Sequence, residues 1–323
     1  MFPLNETHAA HLTSWVASAN DAQTDFPIQN LPFGVFRAEG VARVGVAIGD
    51  AILDVSAAQR AGLYDGGAEE AARACAENSL VRLMQLGNAS WSALRAQTSR
   101  LLRADTEPGT RAQALAAHLL IPMSQAEMQM PVMIRDYTDF TASIYHATNA
   151  GSLLHPENPL HPNYKYVPIG YHGRASSVVL SGTPIRRPRG QRKAPEAPAP
   201  TFGLSQRMDY ELELAFYVGR GNALGEPIPL DEAENYLFGV CLLNDWSARD
   251  VQGWEMQPLG PFLGKNFGTL ISPWVITMEA LAPFRVPAPA RPAGDPAPLP
   301  YLDSARDQQS GGLDMSLEIF YST

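Results

Sequence analysis

Two glutamates in one apolar stretch are the first residues of this sequence that suggest chemistry. The stretch MDYELELAFYVG has the composition of a β-strand, yet it carries Glu211 and Glu213. Side chains two apart in a strand lie on one face, about 6.6 Å apart, with Tyr210, Leu212 and Leu214 expected to pack the other face. Two such carboxylates repel unless a cation neutralises them, and hard divalent cations prefer carboxylate oxygens. The pair predicts a metal site; taken alone, a solvent-facing polar face remains the simpler interpretation.

A segment further along the chain, NDWSARDVQGWEMQPLGPFLGKNFGT, contributes more polar groups. Asp245 follows the apolar run FGVCLL and should end a buried strand, where a charge needs a partner or a metal. Lys265 lies in a glycine-flanked loop of the same segment, with an ordinary surface lysine as the alternative. The segment also contains Arg249, Asp250 and Gln252.

The segment RDYTDFTASIYHATNAG adds an acid and a possible base. It contains Asp139 and, seven positions later, His146. Histidine can exchange a proton near neutral pH. A lone histidine is more often a structural residue than a catalyst, so His146 is a candidate base on this evidence.

The elements that position these groups change character along the chain. The N-terminal part predicts short strands followed by helices, with a boundary in Ile121–Pro131. The strands are expected at Leu31–Arg37, Ala42–Asp50 and Ala51–Val55, and the helices at Gly67–Leu86 and Ser90–Ala104.

From Pro131 onward, short strand patterns separated by Gly, Pro and Asn predict a sheet-rich domain of sandwich, barrel or roll type. Asp231–Gly239 is briefly helical in pattern. Two Pro-rich segments, Pro184–Pro200 and Pro283–Pro300, are expected to be extended surface loops. Apolar residues alternate from Leu313 to Ile319, which predicts a final strand. Because that strand would leave an unpaired edge, the sequence suggests a chain that lacks a C-terminal portion.

Composition restricts the class of protein. The chain has 323 residues, a net charge of −9 and two cysteines, Cys75 and Cys241. An acidic chain is poorly suited to binding nucleic acid or an anionic membrane. Two distant cysteines argue against a disulfide framework and against a zinc site, and they favour a reducing compartment. Neither a signal peptide nor a stretch long enough to span a bilayer is evident. We therefore expect a cytoplasmic protein with a small-molecule substrate.

Several of these motifs, in order, resemble the fumarylacetoacetase (fumarylacetoacetate hydrolase) family. The similar stretches are DYTDFTASIYHATNAG, YHGRASSVVLSGTPIRRP, MDYELELAFYVG, NDWSARDVQGWE and PLGPFLGKNFGTLISPWV. The resemblance implies a mainly β fold with some helix. It places a small SH3-like barrel with helices in residues 1–125 and a catalytic β-roll, apparently lacking its C-terminal part, in residues 126–323. It also implies a homodimer that hydrolyses 4-fumarylacetoacetate to fumarate and acetoacetate.

The resemblance also implies roles for individual residues. A calcium or magnesium ion (Ca2+, Mg2+) would be held by Asp139, Glu211, Glu213 and Asp245, with Lys265 and Thr269 beside it. His146 would be the general base. Arg249, Gln252 and Lys265 would act in catalysis, and the substrate-binding positions would be Thr141, His155, Tyr171, Gln252 and Met256.

The sequence also departs from the family pattern. Thr141 stands where the family usually has tyrosine, His155 where it has a substrate-binding arginine, and Met256 where it has another tyrosine. A threonine loop and a glutamate that orients the catalytic histidine would lie beyond residue 323. Two alternatives therefore stay open: an acylpyruvate hydrolase or related diketo-acid enzyme of the same superfamily, and an inactive truncated metal-binding protein.

Overall fold

The structure is a computed structural model that describes residues 2–154 and 156–322. Within those residues the α-helices are α1 (Val55–Arg60), α2 (Gly66–Ala74), α3 (Val81–Met84), α4 (Asn88–Leu102), α5 (Glu107–Ala114), α6 (Ala116–Leu119), α7 (Ile144–Leu154), α8 (Arg249–Glu255) and α9 (Ala305–Ser310). The 3-10 helices are Glu6–His8, Ala17–Asn20, Met123–Gln125, Ala175–Ser177, Leu230–Tyr236, Ala282–Phe284 and Pro300–Leu302.

The strands of the same residues are β1 (Phe33–Ala38), β2 (Val41–Ile48), β3 (Ala51–Asp54), β4 (Leu120–Pro122), β5 (Glu127–Gln129), β6 (Thr138–Phe140), β7 (Gly170–His172), β8 (Val178–Leu180), β9 (Arg189–Arg192), β10 (Thr201–Leu204), β11 (Met208–Asp209), β12 (Leu212–Val218), β13 (Leu237–Asp245), β14 (Ser247–Ala248), β15 (Thr269–Ile271), β16 (Ile276–Thr277), β17 (Arg285–Val286) and β18 (Gly312–Leu313).

The N-terminal part is an antiparallel sheet in the order β4-β3-β2-β1-β5 covered by helices. The three predicted strands are confirmed as β1, β2 and β3 to within a few residues. Asp54 ends β3 and caps α1, because its carboxylate accepts the backbone N–H of Ala57 at 2.9 Å. The predicted division after residue 125 would separate β5 from this sheet, and an SH3-like barrel stays a prediction.

One predicted helix, Gly67–Leu86, is wrong as a single element. The structure breaks it into α2 and α3, with the intervening residues in turns. Asn78 and Ser79 occupy the break, and both residue types bond to nearby backbone in preference to continuing a helix. The second predicted helix is confirmed as α4.

The site-bearing sheet has the order β12-β13-β15-β8, and β16 also pairs with β13. β12 and β15 flank β13 in antiparallel pairs, whereas β8 pairs parallel to β15. Smaller two-stranded sheets surround it: β6 with β7, β11 with β14, β9 with β10 and β17 with β18. The predicted helical pattern at Asp231–Gly239 is a 3-10 helix that ends where β13 begins, and the first Pro-rich segment contains β9.

Helical residues, at 30% of the chain, outnumber strand residues, at 23%. The expected mainly β fold is therefore corrected to one of mixed sheets and helices, and the β-roll stays a prediction. The expected final strand is also wrong over most of its length. Only Gly312–Leu313 pairs, with Arg285–Val286, and Met315, Leu317 and Ile319 lie exposed with no strand partner among the described residues.

Buried contacts join the N-terminal part to the site-bearing sheet. The rings of Phe33 and Trp91 pack on Phe238 of β13, with centroids 5.9 and 5.0 Å away. Buried Glu279 accepts hydrogen bonds from Asn5 and Ser92, both at 2.7 Å. These contacts hold β13 and the segment that follows β16 against the N-terminal core. No helix among the described residues is both long and apolar enough for a membrane span.

Candidate active site

The site begins at the end of the central strand β13. Asp245 is the last residue of β13 and is 2% exposed, as expected for a charge at the end of a buried strand. Glu213 lies on β12 opposite Leu243, so Asp245 is its diagonal neighbour on the same face of the sheet. Asp139 comes from the separate strand β6. One carboxylate oxygen from each of Asp139, Glu213 and Asp245 lies within 4.8 Å of the others, and these three carboxylates are called the triad below.

The carboxylate face of β12 is the inner face of the sheet. Tyr217, which points the same way as Glu213, is buried, whereas Phe216 and Val218 of the opposite face are exposed. Glu213 therefore lies on the buried side of the sheet beside Asp139 and Asp245, where its charged form is unfavourable without a cation. Tyr210, Leu212 and Leu214, expected to pack the other face, are half-buried, so both faces of this stretch are partly covered.

Glu211 is held differently from Glu213. It precedes β12, and its carboxylate oxygens lie 2.8 Å from the Arg249 guanidinium and 2.5 Å from the Lys265 ammonium. Burial raises the pKa of Glu211, but Lys265 and Arg249 together outweigh burial and hold the pKa below its ordinary value. Glu211 is thus an ionised carboxylate with two cationic partners beside the triad.

Lys265 is the buried cation of the site, at 5% exposed, which excludes the surface-lysine alternative. Its Nζ donates to Asp245 Oδ2 at 2.6 Å as well as to Glu211, and Thr269 donates to Asp245 Oδ1 at 3.0 Å. Burial lowers the pKa of Lys265, but Asp245 and Glu211 more than reverse that effect. A protonated amine has no lone pair, so Lys265 can lie beside a cation but cannot coordinate it.

The triad has the chemistry of a site for a hard divalent cation. Burial raises the pKa of Glu213 to about 8, and the nearby carboxylates of Asp139, Asp245 and Glu211 add to the effect. Burial also raises the pKa of Asp245 in spite of Lys265. Oxygens that bind one Ca2+ or Mg2+ at about 2.0–2.6 Å lie at most about 5 Å apart, as these do. The donor set therefore fits a divalent cation.

His146 lies on the open side of the carboxylate cluster. It is the third residue of α7, and its Nε2 is 3.5 Å from Glu211 Oε1. The side chain is 49% exposed, so one face of the imidazole can meet solvent or a substrate. The half-buried Glu211 carboxylate thus lies beside the imidazole on its buried side.

Helix α8 places two further candidates, Arg249 and Gln252, one turn apart. The Arg249 guanidinium donates to Asp209 at 2.8 Å, contacts Glu211, and donates to Gln252 Oε1 at 3.1 Å. Since the Gln252 oxygen accepts from Arg249, its amide N–H groups point to other partners. Arg249 therefore fixes the orientation of Gln252.

Of the remaining candidates, Tyr171 lies beside the triad, whereas no contact with the triad is seen for Thr141 or Met256 among the described residues. Tyr171 pairs directly with Asp139 across β6 and β7, and burial, then the Asp139 charge, raises the pKa of its hydroxyl. Thr141 is exposed just after β6, and its carbonyl accepts from Tyr164. Met256 is half-buried at the end of α8, away from the triad in sequence. His155 lies outside the described residues.

Three residues with roles at the site were not identified from the sequence. Asp209 orients Arg249, and Glu255 accepts two backbone N–H groups of the loop before Lys265. Tyr137 is half-buried near Thr269 and Asp245, and burial raises its pKa to about 12. All three lie inside the quoted motifs. The one signal the sequence offered for them was their position within two residues of Asp139, Glu211 or Met256.

Two family models match most of this chain. A family model described as fumarylacetoacetase N-terminal matches residues 29–131, and one described as fumarylacetoacetate (FAA) hydrolase C-terminal matches residues 136–316. The second match contains the triad, His146 and Lys265.

Curated relatives are similar over most of this chain. The fumarylacetoacetase of Rattus norvegicus is 50% identical over 293 residues, covering 90% of this chain and 68% of that protein. The fumarylacetoacetase of Arabidopsis thaliana is 47% identical over 314 residues, covering 96% and 72%, and that of Homo sapiens is 49% identical over 300 residues, covering 90% and 68%. This chain belongs to the fumarylacetoacetase (fumarylacetoacetate hydrolase) family.

Proposed function

We propose that this protein is a metal-dependent fumarylacetoacetase. It uses water to cleave a carbon–carbon bond of 4-fumarylacetoacetate and releases fumarate and acetoacetate, the last step of tyrosine and phenylalanine breakdown. The observation that carries the proposal is the convergence of Asp139, Glu213 and Asp245 from three strands, beside His146 and Lys265. The identity of about one half with curated fumarylacetoacetases supports the same substrate.

The cation would be Ca2+ or Mg2+, held by Asp139, Glu213 and Asp245. Glu211 and Thr269 would complete its surroundings through the contacts they make with Lys265 and Asp245. The bound ion supplies Lewis-acid polarisation of the diketone oxygens. The chain's own residues supply everything else.

His146 is the general base in this proposal. Its exposed imidazole takes a proton from the attacking water, while Glu211 at 3.5 Å holds the ring toward the site. The hydroxide equivalent adds to the carbonyl carbon that becomes the fumarate carboxyl. That carbonyl oxygen then carries a negative charge.

Lys265 and Gln252 are positioned to stabilise that charge. The Lys265 ammonium has three N–H donors, and its contacts with Glu211 and Asp245 leave one for a substrate oxygen. The Gln252 amide presents its N–H groups because Arg249 occupies its oxygen. Fixed donors of this kind contribute on the order of 3 kcal/mol each in the transition state. When the oxyanion collapses, the carbon–carbon bond breaks, and acetoacetate leaves as an enolate that takes up the proton His146 removed from water, which returns the imidazole to its starting state.

Four positions would tune substrate choice. Tyr171, beside Asp139, can contact the substrate with its hydroxyl. Thr141 and Met256 replace larger polar side chains of the family, and His155 replaces an arginine. We propose that the diketo-acid core is recognised as in the family and that the acyl end meets fewer charged and hydroxyl groups.

Assembly and location follow the family in this proposal. The exposed apolar side chains of the outer sheet face, Phe216, Val218 and Leu242, suit burial in a homodimer. Both cysteines are free and buried, which suits a reducing compartment such as the cytoplasm. Light scattering on a size-exclusion column measures the assembly directly.

The activity is tested by the loss of diketone absorbance when purified protein meets fumarylacetoacetate with Mg2+ or Ca2+. We expect turnover that EDTA abolishes and that added cation restores. An acylpyruvate serves as the comparison substrate. A preference for the acylpyruvate, or no turnover of either compound, contradicts the proposed function.

A further inference from the structure

Glu255 makes two hydrogen bonds that the proposed chemistry does not use. It is the last residue of α8, and one carboxylate oxygen, Oε1, accepts the backbone N–H of Phe262 at 2.9 Å and of Gly264 at 2.6 Å. Bonds to an ionised acceptor are about twice as strong as neutral ones. A carboxylate at the end of one helix thus fixes the backbone of a loop several residues further on.

That loop leads directly to Lys265. Residues 256–264 form neither strand nor regular helix, and turn-type backbone bonds define part of their path, such as Gly260 N–H to the Met256 carbonyl at 2.7 Å and Lys265 N–H to the Phe262 carbonyl at 3.1 Å. The Gly264 carbonyl accepts from the N–H of Ala248 at 2.8 Å, which ties the loop to the start of α8 as well. The two amides that Glu255 binds belong to the residue immediately before Lys265 and to the residue three positions before it.

Gly264 also packs against α8 with no space for a side chain. A Cβ at this position would lie 2.7–2.8 Å from the Cβ, Cα and N of Gln252. The helix that carries Arg249 and Gln252 is therefore in direct contact with the loop that carries Lys265. Arg249, Gln252 and Glu255 follow one another at intervals of three residues, which places them along one side of α8.

We infer that Glu255 is a positioning residue that sets Lys265 relative to Gln252 and the carboxylates. The inference rests on the proposed function for its kinetic consequence, whereas its structural consequence stands alone. Glu255 itself touches backbone amides and neither Lys265 Nζ nor the triad, so it acts through the loop. Without it, the Phe262 and Gly264 amides lose their charged acceptor, and the Lys265 backbone depends on the remaining loop bonds and on the packing of Gly264 against α8.

The structural arm of the test compares Glu255→Ala with Glu255→Gln, whose amide oxygen can accept the same two bonds. Hydrogen exchange should be slow at the Phe262 and Gly264 amides in the wild type and in Glu255→Gln, and fast in Glu255→Ala. Lys265 should also become acetylated several-fold faster by an N-hydroxysuccinimide ester in Glu255→Ala alone, with Lys193 as the internal reference. Glu196→Ala, at an exposed glutamate of the Pro-rich loop, is the matched control.

The kinetic arm separates positioning from a merely structural role. We expect kcat of Glu255→Ala to fall roughly ten- to a hundredfold with KM little changed, because a misplaced donor affects the transition state more than substrate binding. Glu255→Gln should recover most of kcat. If Glu255→Ala keeps slow exchange and slow Lys265 acetylation, the inference is overturned whatever the activity. It is also overturned if kcat per folded molecule is unchanged. Absence of turnover in the wild type would instead contradict the proposed function and leave the exchange and acetylation results to decide this inference.

Discussion

The Lys265 ammonium lies 2.6 Å from Asp245 at the buried end of β13, where both groups are almost inaccessible to solvent. Lys265 therefore neutralises the part of the site shared by Asp245 and Glu211. Oxygens of Asp139 and Glu213 also lie within 4.8 Å of an Asp245 oxygen. A divalent cation bound by the triad would thus share Asp245 with Lys265.

Replacing Lys265 by methionine tests that sharing. Lys265→Met leaves Glu211 and Asp245 buried without their common cation, and loss of one partner of a buried pair typically costs about 3–5 kcal/mol. We expect a lower Tm in EDTA and a larger rise in Tm on adding Mg2+ or Ca2+ than in the wild type, since the ion then replaces the missing charge. Thermal melts with and without cation measure both effects.

The control for Lys265→Met is Lys193→Met. Lys193 lies over the Trp254 ring, 5.7 Å from its centroid, and makes no contact with the carboxylates. Its melting curve should respond to cation as the wild type does. An equal cation response in Lys265→Met and the wild type would show that the lysine and the ion do not share Asp245.

The raised pKa of Glu213 predicts proton release on cation binding. With a pKa of about 8, this carboxyl carries its proton at neutral pH, and a bound cation must displace it. Affinity should therefore rise with pH up to about 8, by up to about tenfold per pH unit, and then level off. Titration calorimetry at pH 7 in two buffers of different ionisation enthalpy should count close to one proton released.

The raised pKa of Glu213 also sets the direction in which the stability of the cation-free protein changes with pH. A carboxyl whose pKa is raised on folding is more easily ionised in the unfolded chain, so its contribution to stability falls as pH rises from its unfolded pKa to about 8. Cation should remove that fall. Binding without proton uptake or release between pH 6 and 8 would contradict the assignment of Glu213.

Gly264→Ala should lower activity without unfolding the protein. The added methyl would press on the Gln252 backbone at 2.8 Å, so the Lys265 loop must move away from α8. We expect kcat/KM to fall roughly ten- to a hundredfold. Steady-state kinetics measures the fall in kcat/KM, and a melting curve of the same protein shows whether Tm is retained.

Gly253→Ala is the matched control for that substitution. Gly253 lies in the same helix, but a Cβ there meets nothing within 4 Å, and alanine favours helix over glycine by about 1 kcal/mol. Its activity should match the wild type. Comparable losses in the two alanine variants would mean that the loop is not held by close packing at Gly264.

Thiol chemistry tests the burial of both cysteines. Burial raises the pKa of the Cys75 thiol, and it raises that of Cys241 to about 11. Because the thiolate is the reactive form, neither residue should react with Ellman's reagent in the native protein at pH 8, whereas both should react in guanidinium chloride. Rapid labelling of a native thiol would place that cysteine outside the core.

The sequence predicts the strands of the site better than their convergence. β13 was recognisable because an apolar run ends in Asp245, and β12 because apolar and acidic residues alternate. That Asp139 meets them could not come from periodicity, since β6 belongs to a separate two-stranded sheet. Only the family resemblance joined the three segments.

The errors have physical causes of the same kind. The alternation from Leu313 to Ile319 is a strand pattern, but pairing needs a neighbouring edge, and within residues 2–154 and 156–322 only Arg285–Val286 supplies one. The proximity of Glu213 to Asp139 and Asp245 depends on how β12, β13 and β6 pack, which the period of a single strand does not contain. Glu255 and Asp209 act on backbone and guanidinium groups that no sequence period relates to them.

Direct titration of the cation-binding site tests the central claim. Mg2+ and Ca2+ are titrated by calorimetry into EDTA-stripped wild type and into Glu213→Gln, which keeps the shape of the side chain and removes its charge. We predict one strong site per chain in the wild type and its loss, with the loss of activity, in Glu213→Gln. Equal binding by the two proteins, or no binding by either, would contradict a catalytic cation held by Asp139, Glu213 and Asp245.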